Sequence, residues 1–185
     1  MSTAGKVIVE QLNCSHDVSN FVCAVEPALE AFLREKAFSL HQKNVCTVYV
    51  VHDSAGKLHG YFSLSPTAVY QESMSSTQAR KFSYNPISAM LLGQFARDES
   101  TSPRGFGATL LREALITAIA TPGWQILAVD PFSEASEKWF LERGFRQVRQ
   151  NYPSVSSDHP TKRLKLYMTR TAVMATLDAL RELGA

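Results

Sequence analysis

The chain has 185 residues, 45% of them hydrophobic and 19% charged, a balance that suits one globular domain able to bury a core without staples. A net charge of +2 is too small to indicate nucleic-acid binding by itself, although it leaves room for a local basic patch. Cys14, Cys23 and Cys46 are odd in number and lack C-x-x-C spacing, which suggests neither a disulfide framework nor a zinc site and leaves buried, reduced thiols as the expectation.

Val7–Leu12 alternates and reads as a first strand. Pro27–Lys43 reads as a helix, because Leu29, Phe32, Leu33, Ala37 and Leu40 fall on one face. Cys46–His52 and Leu58–Leu64 are β-rich runs on either side of Asp53-Ser54-Ala55-Gly56, a hairpin signal. Pro66–Pro86 is polar and aperiodic, so mostly loop is expected there. Ala89–Arg97 is a further apolar strand. After it, Gly105 and Gly107 introduce a helix over Ala108–Ala120 with Leu111, Ala114, Leu115 and Ala118 on one stripe, stopped by Thr121-Pro122-Gly123. Ile126–Val129 is wholly apolar, as in a central strand covered on both faces. Ser133–Arg143 is the next helix, with Ser133 as N-cap and Gly144 at C′. Arg163–Thr169 alternates, so a strand with one buried face is expected, and an amphipathic helix carrying Val173, Leu177 and Leu180 follows. The order β-α-β-β-β-α-β-α-β plus a terminal helix predicts a single α/β (α+β) domain over 1–185, a mixed sheet flanked by helices.

A strand, a turn with two glycines and a helix start leave a row of backbone N–H groups at the positive end of a helix dipole, a seat for phosphate or pyrophosphate. A purely structural turn is the other reading of Gly105 and Gly107. No basic-plus-apolar leader opens the chain and no apolar run approaches 18 residues, so neither secretion nor membrane insertion is expected and a cytoplasmic location is. His16, His41, His52, His59 and His159 have no metal-ligand spacing, so no metal is expected. Trp139 and the phenylalanines are read as core, and His41 as a surface or capping residue.

An ordered set of short motifs carries a resemblance. Phe21-x-Cys23 precedes Ala28-Leu29-Glu30-Ala31-Phe32-Leu33; Val45-Cys46-Thr47-Val48-Tyr49-Val50 and Gly60-Tyr61-Phe62-Ser63-Leu64-Ser65 follow, resembling a pair of strands; Tyr84-Asn85-Pro86-Ile87 leads to Leu91-Leu92-Gly93-Gln94-Phe95-Ala96-Arg97-Asp98. From about Phe21 onward the chain resembles the GCN5-related N-acetyltransferases (GNAT), and among them the GNAT-type toxins of bacterial toxin–antitoxin pairs. The resemblance implies a splayed central sheet and acetyl-CoA as cosubstrate. It also implies that pantetheine pairs with the strand edge at Phe95, Ala96 and Arg97. The pyrophosphate would then rest on an R/Q-x-x-G-x-G/A turn, here Ser102-Pro103-Arg104-Gly105-Phe106-Gly107, with Ala108 and Thr109 completing the cradle. Ser102 stands where the family has a cation, and Arg104 is the candidate replacement.

A second departure concerns catalysis. Ser136–Phe145 resembles the family's A-x-x-F-Y-x-x-x-G-F helix, but the tyrosine usually proposed as general acid is Phe140, which cannot donate a proton. Tyr152, water, or slow or absent turnover would fill that gap. The toxin resemblance implies transfer of acetyl to the amine of aminoacyl-tRNA, blocking translation, and restraint by a ribbon-helix-helix antitoxin. Arg80, Lys81, Lys162, Arg163 and Lys165 are candidates for a tRNA-facing patch, ordinary surface charge being the other reading. A stand-alone acetyltransferase for a small or protein amine, or a CoA- or partner-binding relic without turnover, are the alternatives. The C-terminal helix suits a homodimer or an antitoxin equally.

Overall fold

The structure is a computed structural model describing residues 7–100, 105–148 and 166–182. Its strands are β1 (Ile8–Gln11), β2 (Thr47–His52), β3 (Leu58–Val69), β4 (Ile87–Arg97), β5 (Ile126–Val129), β6 (Arg146–Gln147) and β7 (Leu166–Thr169). They lie in the order β1-β2-β3-β4-β5-β7-β6. β1, β2 and β3 pair antiparallel, β4 and β5 parallel, and β7 antiparallel to both β5 and β6. The expected mixed sheet is therefore present. The described residues form two compact units, one from residues up to 65 and 93–117, the other from 66–92 and 118 onward.

In the first unit the core gathers Phe21, Leu29, Leu33, Val48, Val50, Tyr61 and Ala96. Pro27 opens α1 (Pro27–Ala31), where its fixed φ suits a first helical turn and its missing N–H costs nothing. The expected single helix is interrupted by a π-helical turn, Phe32–Lys36, before α2 (Ala37–Gln42). The wider turn brings Leu29, Leu33 and Ala37 into line, four residues apart and all buried, while Phe32 and Leu40 are only half-buried. In the β2–β3 hairpin the Asp53 carboxylate accepts N–H bonds from Ala55 (2.9 Å) and Lys57 (3.0 Å), and Gly56 takes φ +79°. The Lys57 bond is the main reason that carboxyl lies below the usual range.

β3 runs five residues past the expected end, to Val69, with Pro66 at an exposed position where its missing N–H is tolerated. The segment expected to be mostly loop then holds a 3-10 turn (Gln71–Ser73) and α3 (Ser76–Ala79), capped by the Ser75 hydroxyl. Its polar residues organise it. Gln71 donates from its side chain to the Phe82 and Tyr84 carbonyls, and Asn85 accepts from the Gln71 N–H while donating to Glu72.

The second unit has its own core of Val69, Met74, Ile87, Ala89, Ile126, Ala128 and Tyr167. α4 (Phe106–Ala120), which belongs to the first unit as far as Thr117, starts two residues earlier than expected, and its predicted stripe of Leu111, Ala114, Leu115 and Ala118 is buried. Its last carbonyls are capped from within the second unit: Trp124 Nε1 donates to Ala118 (2.9 Å) and the Arg170 guanidinium to Ile119 (2.8 Å) and Thr121 (3.2 Å). α5 (Glu134–Leu141) begins with the expected Ser133 cap, reciprocated by Ser136, and Gly144 follows at φ +89°. β6 is an addition to the expected elements. Leu166, Tyr167 and Met168 of β7 are all buried, against the expectation of one buried face, and both α5 and the C-terminal helix pack against this strand. The Arg163–Lys165 part of that expected strand lies outside the described residues. α6 (Arg170–Glu182) buries Val173 and Leu177. No described helix is long and apolar enough to cross a membrane. Cys23 is buried and Cys46 half-buried, but Cys14 is exposed, so the expectation of uniformly buried thiols fails there.

Candidate active site

The register of β4 with β5 ends at Leu92↔Val129, and β4 continues to Arg97. In that continuation Gln94 donates its N–H to the buried Ser63 hydroxyl (2.8 Å). Ala96 is buried, Phe95 half-buried and Arg97 exposed. The Ala96 carbonyl lies 3.0 Å from where a Cβ on Gly60 would sit, so only glycine allows this close approach of backbone.

Immediately after β4, two acidic residues tie the chain down. Asp98 is 1% exposed; its carboxylate accepts from the Val22 N–H (2.8 Å) and from both the N–H (2.8 Å) and hydroxyl (2.7 Å) of Ser100. Glu99 accepts from the N–H groups of Ala24 (3.1 Å) and Val25 (3.2 Å), while its own N–H donates to the Val22 carbonyl (2.9 Å). The end of β4, from which the glycine turn departs, is thus anchored to a segment more than seventy residues earlier in sequence. Asp98→Ala leaves at least two backbone N–H groups without their acceptor, and its expected cost is about 2–4 kcal/mol. A fall of the denaturation midpoint at unchanged m-value checks it; a midpoint equal to the native one contradicts the clamp.

Ser102 and Arg104 lie outside the described residues. Gly105 has φ +83°, a left-handed conformation that disfavours any side chain, and none of the described residues lies within 4 Å of where its Cβ would be. Phe106 opens α4, is buried, and its ring meets His59 at 5.6 Å between centroids. The Ala108 N–H donates to the Gly105 carbonyl (3.1 Å). A fifteen-residue helix thus begins directly after a left-handed glycine, which fits an anion received on backbone N–H groups.

Phe140 is 4% exposed and packs edge-to-face on Trp139 (5.0 Å) and Phe145 (5.2 Å). Trp139 itself is only half-buried, with the Arg143 guanidinium 3.7 Å from its ring centre, so it is not the core residue expected. Tyr152 lies outside the described residues. Tyr61 is no substitute acid: burial drives its pKa far up and its hydroxyl donates to the Leu29 carbonyl (2.7 Å). Burial also raises Cys23 and Cys46, which makes them poor thiolate nucleophiles and favours direct transfer over a cysteinyl intermediate.

Of the candidate basic patch, Arg80 and Lys81 are exposed, and Lys162, Arg163 and Lys165 lie outside the described residues. Lys81 lines a cleft of about 640 Å³ in the second unit together with Phe82, Gln125, Arg146, Met168 and Arg170. His41 is more than a surface residue: its Nδ1 accepts the Val48 N–H (3.1 Å), joining α2 to β2. Glu10, His16 and His52, which sequence spacing does not associate, meet with their ligand atoms within 4.8 Å of one another.

No family model matches the chain. A tRNA-acetylating toxin of Mycobacterium tuberculosis (strain H37Rv) is 23% identical over 138 residues, covering 73% of this chain and 81% of that protein. A tyrosine-to-phenylalanine variant of KacT superposes with a TM-score of 0.75 at 25% identity, over 91% of this chain and 98% of that one. AtaT in complex with acetyl-methionyl-tRNA gives 0.75 at 21% identity, over 92% and 98%. A mutant AtaT bound to the C-terminus of the antitoxin AtaR and acetyl-CoA gives 0.67 at 21% identity, over 94% and 99%. In sequence and in fold the chain is similar to these acetylating toxins, in line with the resemblance to the GNAT-type toxins that its ordered motifs carry.

Proposed function

We propose that the chain acts, as a single GNAT domain over 1–185, as an acetyl-CoA-dependent N-acetyltransferase that acetylates the amine of aminoacyl-tRNA and so blocks translation in the cytoplasm. The observation that carries this reading is the turn at Gly105, left-handed and directly ahead of α4, in a chain similar to toxins crystallised with acetyl-CoA and with acetylated tRNA. The backbone of Gly105, Phe106, Gly107, Ala108 and Thr109 receives the pyrophosphate, with Arg104 as its cation. The Phe95–Arg97 edge aligns the pantetheine amides as an added strand would. Acetyl-CoA would supply a thioester carbonyl whose oxygen a β4 N–H polarises; the acceptor amine attacks its carbon, the C–S bond breaks to release CoA as thiolate, and the amine proton passes to water and the thiolate. Arg80 and Lys81 contribute phosphate contacts whose strength falls with salt. By the same likeness, an antitoxin holds the enzyme in check.

Charged tRNA incubated with radiolabelled acetyl-CoA and the protein is expected to carry label on its aminoacyl group, with translation arrested in a cell-free system. Labelled small amines with unlabelled aminoacyl-tRNA would favour the second reading, a stand-alone acetyltransferase, for which Phe140 is the supporting observation. Acetyl-CoA binding without transfer to any amine would leave a binding module.

A further inference from the structure

Glu10 on β1, His16 in the turn after it and His52 at the end of β2 bring one carboxylate and two imidazoles within 4.8 Å of one another, and none of the three has a role in the candidate active site. The register of β2 with β3 shifts between Val51 and His52, and such a bulge re-aims the side chain beside it. His52 is 8% exposed and its Nδ1 lies 2.8 Å from the Asp53 carbonyl. A carbonyl only accepts, so Nδ1 carries the proton and Nε2 presents a lone pair. That Nε2 is buried without a hydrogen-bond partner and faces Glu10 Oε2 at 3.5 Å. In neutral His52 a buried acceptor therefore faces a second, half-exposed acceptor, an arrangement that a cation between them would satisfy.

His16 completes the set. Its Nε2 lies 3.3 Å from the same Glu10 oxygen, and its ring centre is 5.7 Å from that of His52. Ligand atoms around a tetrahedral zinc ion, at bonds of about 2.0–2.1 Å, are spaced by about 3.3 Å. Two of the three separations here are already close to that value. We propose that Glu10, His16 and His52 form a three-ligand site for a divalent transition ion of the zinc type, joining β1 and its following turn to β2. The Nδ1–H donated to the Asp53 carbonyl is the orienting contact that metal-binding histidines characteristically make. His16 Nδ1 accepts the Asn13 N–H at 3.1 Å, so its neutral form carries the proton on Nε2. Ligation through Nε2 would place the proton on Nδ1 and give up the contact with the exposed Asn13 N–H. Glu10 is half-exposed on its side chain, which leaves a coordination position for water.

The test uses the full chain, stripped with chelator and titrated with Zn²⁺ by calorimetry, and with Co²⁺ by visible absorption as a reporter of a low-coordinate site. One equivalent of Zn²⁺ is expected to bind and to raise the melting temperature. His52→Ala and Glu10→Gln are each expected to weaken binding by about tenfold or more. Glu10 is exposed, so its variant keeps the fold even if His52→Ala does not. Cys14, an exposed thiol nearby in sequence, is controlled with Cys14→Ser, which is expected to retain uptake. Uptake equal in the native chain and both ligand variants, uptake abolished only by Cys14→Ser, or no uptake at all would overturn the proposal.

Discussion

Phe140→Tyr is expected to raise kcat for acetyl transfer by about 10- to 100-fold, with the KM for acetyl-CoA nearly unchanged. A general acid contributes about 10²–10⁴-fold when correctly placed, and a thiolate that leaves moderately well without help recovers part of that. The site favours a clean comparison. α5 is held at its start by the Ser133–Ser136 cap and followed by Gly144 in a left-handed turn, so the ring at position 140 has little freedom to move. The substitution adds one oxygen to a ring that is 4% exposed and wedged between Trp139 and Phe145. A hydroxyl buried there without a partner costs about 1–3 kcal/mol, so the melting temperature has to be read beside the rate. Faster turnover at native stability identifies a missing acid as the limiting factor. Native turnover with intact acetyl-CoA binding would mean that water or another donor already protonates the thiolate.

Gly105→Val is expected to weaken acetyl-CoA binding by about tenfold or more, measured by calorimetry. Two effects act together. A left-handed residue other than glycine costs about 1–2 kcal/mol, and a β-branched one more. The new side chain also enters the space beside the turn, where the diphosphate would approach the backbone. Gly123→Val separates the two effects. Gly123 has φ +88° and, like Gly105, no described residue within 4 Å of where its Cβ would be, but follows α4 at its other end, so it carries the strain without the ligand. Equal losses of acetyl-CoA affinity in both variants would remove the pyrophosphate from Gly105. Loss of affinity at Gly105 alone, with comparable losses of stability in both, places the anion there.

Wherever a residue's own neighbours in the chain supply the physics, its role is legible in the amino-acid order alone. Ser133 and Gly144 bound a helix because caps and left-handed turns are local events. Ile126–Val129 is apolar throughout because both faces of a central strand are covered. The α4 stripe follows from helical period alone, and the Gly105 turn from what only glycine can do. The absence of a phenol at position 140 is likewise a matter of composition.

Other features depend on partners distant in sequence. Asp98 and Glu99 look like ordinary surface acids until the Val22–Val25 segment, more than seventy positions away, brings them its N–H groups. Alternation in β7 suggests one wet face, yet α5 and α6 both pack against the strand, and Leu166, Tyr167 and Met168 are buried alike. Polar composition between Pro66 and Pro86 reads as loop, whereas Gln71 and Asn85 spend their side chains on backbone groups and give the segment structure. Glu10, His16 and His52 have no shared spacing; antiparallel pairing of β1 with β2 and a bulge at His52 are what bring them together. The elements, the glycine turn and the missing acid are thus written in the chain itself, since propensity, capping and composition act within a few residues. Which polar side chains are buried, and what they face, is settled only when the chain folds, because burial and charge pairing are properties of segments meeting across the fold.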